Sequence, residues 1–269
     1  MSILELENVN LIINNDKSKP LLENINLKAE PGDVILITGT NGIGKSTLFK
    51  SLVDFNGYPK QDKYARIDGK YILDGDGSEE KKDLNCRIIN IHQETNTIWW
   101  GYFYFGKSLL KAVPPSIKGN KERKKYLDNW INKYKPFTDE DKEEKLLEKS
   151  ILELSGGRDK YLSVLEGLVR CDDPEIKLVL IDEPTNNLDH IHIKHLSDLI
   201  QRIRHLRPEL AFIIISHCRV WPYITKTYEI KKTDEKSNNT LIEVDNECHN
   251  CFGNADEDGY YNPSMNPSK

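Results

Sequence analysis

A glycine-rich stretch that ends in Lys-Ser-Thr carries the clearest chemical signal in this sequence. Residues 39–47 read GTNGIGKST and match the pattern G-x-x-x-x-G-K-[ST]. Glycines let backbone N–H groups turn inward around a phosphate, and a following helix offers its positive N-terminus to the same anion. Lys45 is expected to reach the β- and γ-phosphates of a nucleotide, Ser46 to ligate Mg²⁺ and Thr47 to contact the α-phosphate. The pattern therefore predicts a phosphate-binding loop with contacts from Gly39, Asn41, Gly42, Gly44, Lys45, Ser46 and Thr47.

Two carboxylates directly follow an apolar run farther along the chain. Residues 178–181 read LVLI and are followed by Asp182 and Glu183. At the carboxyl end of a buried strand, Asp182 is placed to hold Mg²⁺. Glu183 is placed to orient and deprotonate an attacking water, a step worth about 10²- to 10⁴-fold in rate. A solvated strand end is the simpler interpretation of this pair alone, but the phosphate-binding loop favours the catalytic one.

The segments around these residues predict an α/β fold. The apolar run at 34–37 suits a strand buried on both faces and leads directly into the glycine-rich stretch. Residues 45–55 have helical spacing, so the glycines lie at a strand-to-helix turn. Residues 177–181 and 211–215 read as further buried strands, with helical spacing at 190–206 between them. Strand, helix and strand with β-branched runs predicts a mostly parallel sheet.

Two other regions have a different character. Residues 3–9 and 21–27 alternate apolar and polar side chains, which predicts half-buried strands. Residues 99–105 are dense in aromatic side chains, and the segments that follow are highly charged. Residues 118–135 carry a net charge of +5 and residues 139–148 a net charge of −4, both with helical character. We therefore predict a helical insert over about 99–155.

The composition restricts the class of protein. The chain has 269 residues, with 38 Lys and Arg against 43 Asp and Glu, and a net charge of −5 makes general nucleic-acid binding unexpected. No run approaches the roughly 18 to 20 apolar residues that a bilayer requires, and the first residues do not resemble a secretory signal. The five cysteines are odd in number and scattered, which fits a reducing compartment. We expect a soluble cytoplasmic chain with a flexible tail at 245–269.

Taken together, the motifs resemble the nucleotide-binding domain of the ATP-binding cassette (ABC) superfamily. Four further elements occur in that family's order. The sequence LSGG at 154–157 resembles the signature motif, and Gln93 resembles the Q-loop glutamine. The sequence NLD at 187–189 resembles the D-loop, and His217 resembles the switch histidine. The resemblance covers about residues 1–232 and implies a P-loop NTPase core with a mostly parallel sheet, an N-terminal antiparallel β part and a helical insert subdomain, as one domain over 1–244.

The resemblance also implies a reaction centre shared between two protomers. ATP and Mg²⁺ would bind the phosphate-binding loop of one protomer, and the signature residues Ser155, Gly156 and Gly157 of the other would close over it. Gln93 would sense the γ-phosphate and Mg²⁺, and His217 would contact the γ-phosphate beside Glu183. Asp189 would act across the interface. The implied activity is Mg-dependent hydrolysis of ATP to ADP and phosphate.

The sequence departs from the family at the nucleotide base. Family members usually stack an aromatic side chain on adenine, and this chain has no aromatic residue before Phe49. Ile12 or Ile13 falls near that position, so low selectivity for the base is expected. Residues 158–161 read RDKY where most members have a helix start rich in Gln and Arg, so the interface charges differ.

The branch of the family follows from the spacing of the motifs. The interval from Lys45 to Ser155 is 110 residues without sustained heptads, which argues against the coiled-coil members that maintain chromosomes. A single cassette is most similar to the energy subunit of a transporter, at the inner face of a membrane through a separate transmembrane subunit. The aromatic run at 99–105 either receives a helix of that subunit or packs the insert. The alternative function is a soluble ABC ATPase that acts on a protein complex.

Overall fold

The computed structural model describes most of the chain, with gaps. The described residues are 2–13, 20–54, 65–73, 87–92, 104–143, 145–150, 153–186, 188–216, 221, 223–232 and 238–245. Two of the predicted site residues, Gln93 and His217, lie outside this part of the chain, as do the predicted tail after Asp245 and most of the aromatic run at 99–105.

Nine strands and six helices are formed by the described residues. The strands are β1 (Leu4–Ile13), β2 (Leu22–Ala29), β3 (Val34–Gly39), β4 (Ala65–Leu73), β5 (Ile88–Ile91), β6 (Leu178–Asp182), β7 (Ala211–Ile215), β8 (Lys226–Lys232) and β9 (Asn239–Val244). The helices are α1 (Lys45–Asp54), α2 (Phe105–Ala112), α3 (Asn120–Tyr134), α4 (Asp139–Glu143), α5 (Gly156–Leu168) and α6 (His190–Leu206), with short 3₁₀ turns at Leu146–Glu148 and Val169–Asp172.

All nine strands form one sheet in the order β4-β1-β2-β9-β8-β3-β7-β6-β5. Strands β8, β3, β7, β6 and β5 are parallel to their neighbours within that row, and β1 pairs antiparallel with both β2 and β4. This arrangement confirms the predicted α/β fold with a mostly parallel sheet and an N-terminal antiparallel part. Strands β8 and β9 were not predicted, because only three of the seven residues of β8 are buried and its ends are rich in lysine.

The sheet separates two apolar clusters. Val34 and Leu36 of β3 face the cluster formed with α5 and α6, whereas Ile35 and Ile37 face the cluster that contains α1. Successive side chains of a strand point to opposite faces, so a strand with helices on both sides needs an unbroken apolar run. The buried pattern of β3, β6 and β7 follows from this requirement.

Helices α2 to α5 occupy the chain between β5 and β6. Their buried side chains, including Trp130 and Tyr134 of α3, join the same apolar cluster as α6. Two basic residues of α3 bind partners outside the acidic segment at 139–148. The Arg123 guanidinium donates to the carbonyl oxygens of Leu110 and Val113 at the end of α2, and Lys133 pairs with Asp172 at 2.8 Å. Within the described residues, no helix has the length and hydropathy needed to cross a bilayer.

Helix α5 packs closely on β5 through a glycine. A Cβ atom at Gly167 would lie 2.4 Å from Cγ1 and 2.5 Å from Cδ1 of Ile91. Ile91 is the last residue of β5, so this contact sets how close the helix that begins at the signature motif comes to the strand that precedes Gln93.

We predict that Gly167→Ala lowers the free energy of unfolding by about 1–3 kcal/mol, the usual cost of overpacking a core, even though alanine is the better helix former. The measurement is chemical denaturation. Gly156→Ala in the same helix is the matched control, because a Cβ there would meet nothing within 4 Å. The additional change Ile91→Ala removes the clashing atoms, so Gly167→Ala should cost less in that background. Equal stability of wild type and Gly167→Ala would contradict the close packing.

Candidate active site

The glycine-rich stretch connects β3 to α1 through a loop that needs glycine. Gly39, Gly42 and Gly44 all have positive φ, at 147°, 75° and 115°. A Cβ at Gly39 would lie 3.0 Å from the carbonyl oxygen of Ile230. A side chain at these positions would therefore be strained in conformation, and at Gly39 it would also meet the backbone of β8. The loop thus leaves the sheet at the N-terminus of α1, where Ser46 and Thr47 lie in the first turn.

Lys45 is folded back over this loop. Its ammonium donates to the carbonyl oxygens of Gly39 at 2.8 Å and Thr40 at 3.1 Å, and only 6% of the residue is exposed. Burial lowers the pKa of Lys45, while the nearby carboxylates of Glu183 and Asp182 favour its charged form and oppose that shift. A buried cation is thus held at the mouth of the loop by two weak carbonyl partners.

The sheet register brings the two carboxylates to the same edge as the loop. Asp182 of β6 is opposite Ile215 of β7, and Ile215 is opposite Ile37 of β3. The Glu183 N–H donates to the Ile215 carbonyl at 2.9 Å, which extends the ladder by one residue. Because these strands are parallel, their carboxyl ends meet at one edge of the sheet.

Glu183 turns sharply out of the strand. Its φ is 48°, a left-handed conformation that costs a non-glycine residue roughly 1–3 kcal/mol in sites where the surrounding structure enforces it. The turn brings Glu183 Oε1 to 4.0 Å from Lys45 Nζ, and both side chains are almost fully buried. The strained residue is therefore the one predicted to act as the general base.

A cleft of about 170 Å³ joins the loop to Glu183. Its lining consists of Asn41, Gly42, Gly44, Lys45, Ser46, Thr47 and Glu183. The structure thus brings together seven of the residues that the two separate motifs predict. The lining includes Lys45 and the first turn of α1, and an ammonium and a helix N-terminus are groups that bind phosphate.

The residues present suit a magnesium ion bound together with phosphate. Asp182 is 4% exposed, and its Oδ1 has no hydrogen-bond partner among the described residues. Ser46 supplies a hydroxyl in the lining of the cleft. In the described part of the chain, no group of three or more His, Cys, Asp or Glu side chains is arranged to hold a metal ion by itself. One carboxylate and one hydroxyl fit Mg²⁺, which usually keeps water and phosphate oxygens as its remaining ligands.

Lys160 is a charged residue at this edge that the sequence analysis did not identify. It lies in α5, is 3% exposed, and donates to the carbonyl oxygens of His92 at 3.2 Å and Asp182 at 3.5 Å. Burial lowers its pKa, and the carboxylates of Asp182 and Glu183 oppose that shift. Lys160 lies on the face of α5 that is otherwise formed by buried apolar and aromatic residues.

The signature and D-loop residues do not line the cleft of their own chain. Ser155 caps the N-terminus of α5, where its Oγ accepts from the Arg158 N–H at 3.3 Å. Asp189 caps α6 in the same way, with its Oδ1 accepting from the His192 N–H at 2.8 Å. Ser155, Gly156 and Asp189 are exposed, and Gly157 is half-buried. The capping residues of both helices are therefore exposed, and neither lines the cleft of its own chain.

Gln93 and His217 follow directly after described residues. His92 is the residue after the end of β5, and Ser216 is the residue after the end of β7. The roles assigned to Gln93 and His217 stay predictions.

The fold and the site define an ABC-type ATPase domain, and comparison with known proteins agrees. A model of the ABC transporter family matches residues 22–186, so the chain belongs to the ABC transporter family. The solved structure of cbiO1 from Clostridium perfringens, part of the ABC transporter complex cbiONQ, superposes with a TM-score of 0.64 at 24% identity and covers 90% of this chain and 87% of that one. The ATP-binding cassette MJ0796, a dimer bound to ADP and Pi in a post-hydrolysis state, gives a TM-score of 0.64 at 17% identity, with coverage of 91% and 99%.

The match covers different shares of the relatives identified by sequence. A putative ABC transporter ATP-binding protein of Treponema denticola is 26% identical over 226 residues, which is 81% of this chain and 41% of the relative. The phosphate import ATP-binding protein PstB of Borreliella afzelii is 29% identical over 220 residues, which is 80% of this chain and 77% of the relative. The chain therefore spans less than half of the first relative and most of the second.

We predict that Lys45→Ala weakens ATP binding by about 10- to 150-fold, since a hydrogen bond to a charged group contributes about 1.5–3 kcal/mol. Equilibrium titration with ATP measures the change. Lys70→Ala is the control, because Lys70 is exposed on β4, where it pairs with Glu7. Affinity equal to wild type in Lys45→Ala would exclude the phosphate-binding role of Lys45.

Proposed function

We propose that this protein binds ATP with Mg²⁺ in the cleft and hydrolyses it, as the ATPase subunit of a transporter. The observation that carries the proposal is the approach of Glu183 Oε1 to within 4.0 Å of Lys45 Nζ in one buried cleft. A phosphate-binding cation and a candidate general base, taken from motifs far apart in sequence, thus face the same small volume. Hydrolysis of a terminal phosphate needs both groups.

The contacts of Lys45 suggest how the nucleotide is bound. Its ammonium now binds two loop carbonyls, and on nucleotide binding it exchanges them for β- and γ-phosphate oxygens, which are better partners for a buried cation. Backbone N–H groups from Asn41 to Thr47 surround the β-phosphate. Exclusion of water from the cleft strengthens each of these interactions.

We assign the metal and the attacking water to residues other than Lys45. Ser46 and Asp182 would hold Mg²⁺, with Gln93 as a further ligand, and a bound ion would supply positive charge to the phosphate oxygens. Glu183 orients a water toward the γ-phosphate and accepts its proton. His217 completes the geometry as a hydrogen-bonding partner of the γ-phosphate.

The position of the signature residues supports a head-to-tail dimer. Ser155 and Gly156 are exposed and lie outside the lining of their own cleft, although a hydroxyl at a helix N-terminus is suited to bind a phosphate. In the dimer, Ser155, Gly156 and Gly157 of one protomer cover the nucleotide of the other, and Asp189 contacts the opposite site. The MJ0796 structure, a dimer with ADP and Pi, supports this arrangement.

The relatives support coupling to a membrane subunit. PstB is named for phosphate import, and cbiO1 belongs to a transporter complex with other components. We propose that residues 1–244 form a single ABC ATPase domain, with α2 to α4 as its helical subdomain. The domain binds a separate transmembrane subunit and lies at the cytoplasmic face of the membrane.

Glu183→Gln is expected to lower the turnover number for ATP by about 10²- to 10⁴-fold, because the amide keeps the shape of the side chain but accepts no proton. Nucleotide affinity stays within about twofold, and ATP traps a dimer that size-exclusion chromatography with light scattering detects. Glu175→Gln, an exposed residue in the loop before β6, is the control. Hydrolysis at the wild-type rate by Glu183→Gln would overturn the general-base assignment.

The partner is tested by purification of the tagged chain from its native cells. We expect a multi-pass membrane protein to copurify from detergent-solubilised membranes and to be absent from the soluble fraction. A control purification with the tag alone removes adventitious membrane proteins. A stable complex with soluble proteins only would support the alternative function in a protein complex.

A further inference from the structure

Residues near the N-termini of α5 and α6 contact the same buried carboxylate. Ser155 caps α5 and Asp189 caps α6, and the third residue of each helix after its cap, Arg158 and His192, points to the same carboxylate. That carboxylate belongs to Asp141 of α4. Arg158 Nε lies 3.7 Å and His192 Nε2 lies 3.6 Å from its Oδ1.

Asp141 is held rigidly at this junction. Its side chain is completely buried, and its Oδ2 accepts from both the backbone N–H of Thr138 at 3.0 Å and the Thr138 hydroxyl at 2.8 Å. Burial favours the neutral form, but the pair with His192 and the Thr138 hydrogen bonds outweigh it, so the pKa of Asp141 is lowered. A fixed, ionised carboxylate therefore lies between the two helices.

His192 lies between two carboxylates. Its Nδ1 is 2.8 Å from Asp189 Oδ2, its Nε2 faces Asp141, and 7% of its side chain is exposed. The ring of Tyr161 in α5 contacts it edge-on, with centroids 5.5 Å apart. Arg158 is tied to the exposed Glu140 as well, at 3.0 Å. The groups that face the imidazole are thus Asp189 on its own helix, Asp141 on α4 and Tyr161 on α5.

We propose that His192 is a positioning residue that, through Asp141, fixes the D-loop aspartate Asp189 relative to the signature serine Ser155. The inference rests on the proposed function, in which both residues contact the opposite protomer. Two helix N-termini that must meet one partner surface need a fixed mutual geometry, since small misplacements of groups at a reaction centre cost rate. A single buried carboxylate within ion-pair distance of the third residue of each helix supplies that geometry.

The connection depends on protonation of His192. The pair with Asp141, and to a smaller extent Asp189, raises the pKa of His192 above its ordinary value of 6.5, against the opposing effect of burial. A group with a raised folded pKa stabilises the native state below its unfolded pKa, and that stabilisation is lost as the pH rises through the folded pKa. The charged connection is therefore complete below the ordinary pKa of 6.5 and is lost as the pH rises through the raised pKa of His192.

The kinetic test compares His192→Gln and Asp141→Asn with wild type. We expect each variant to lower the turnover number for ATP about tenfold and to change nucleotide affinity less than about twofold, because the cleft is built from other elements. The double variant should be no slower than the slower single variant, since both changes remove one interaction. His205→Gln, exposed in the last turn of α6, and Asp139→Asn, exposed on α4, are matched controls.

The pH profile separates positioning from a merely structural role. Wild-type turnover should fall as His192 loses its proton, Asp141→Asn should move this limb to lower pH, and His192→Gln should abolish it. If both variants hydrolysed ATP at the wild-type rate and kept the alkaline limb of the wild-type pH profile, the proposal would be overturned. If Asp141→Asn does not fold, His192→Gln alone decides the outcome.

Thermal unfolding without nucleotide distinguishes this inference from the proposed function. The melting temperature of wild type should fall between pH 6.5 and the raised pKa of His192, and His192→Gln should lose that dependence. NMR titration of the His192 ring should show a lower pKa in Asp141→Asn than in wild type. A wild type that melts in this way but hydrolyses no ATP would refute the proposed function alone. Hydrolysis by wild type, with melting and turnover unaffected in His192→Gln, would refute the connection alone.

Discussion

Four charged side chains are buried together at the carboxyl edge of the parallel strands. The rest of the site depends on their opposite charges, which offset the free-energy cost of burying each ion. Lys45 and Lys160 face Asp182 and Glu183, and each residue is at most 6% exposed. Removing such charges from water costs several kcal/mol per ion unless opposite charges and hydrogen bonds replace it. The two lysines come from helices on opposite faces of the sheet, so the cluster also joins the two layers. A phosphate group that enters the cleft meets a cation already desolvated.

The cleft is complete on one side only. The loop, α1 and Glu183 provide cationic and polar groups for a nucleotide, but the signature and D-loop residues of the same chain lie outside its lining. Ser155 and Asp189, the capping residues of α5 and α6, are exposed. The buried carboxylate of Asp141 links these two N-termini within the helical part of the chain. In the proposed dimer, both helix ends would contact the opposite protomer.

Several elements were predictable because local signals agree with tertiary requirements. Strand β3 and helix α1 have apolar runs and helical spacing that match their burial, and glycine occurs where φ is positive. Strands β8 and β9 were missed although both lie inside the sheet, since their partial burial leaves no clear alternation of apolar and polar residues. Lys160 was missed for a related reason: a lysine in a helix usually lies on the solvated face, and only the packing of α5 under β5 and β6 buries it.

The amino-acid sequence by itself determined the chemical groups of the site, because a phosphate-binding loop and a strand ending in two carboxylates require particular residues at consecutive positions. Only the tertiary structure decided which of these groups meet. Lys45 and Glu183 are 138 positions apart, and the register of three parallel strands brings them to 4.0 Å. Likewise, no local pattern indicates that Arg158 and His192 share Asp141. Such pairings depend on long-range packing, which the period of a helix or strand does not encode.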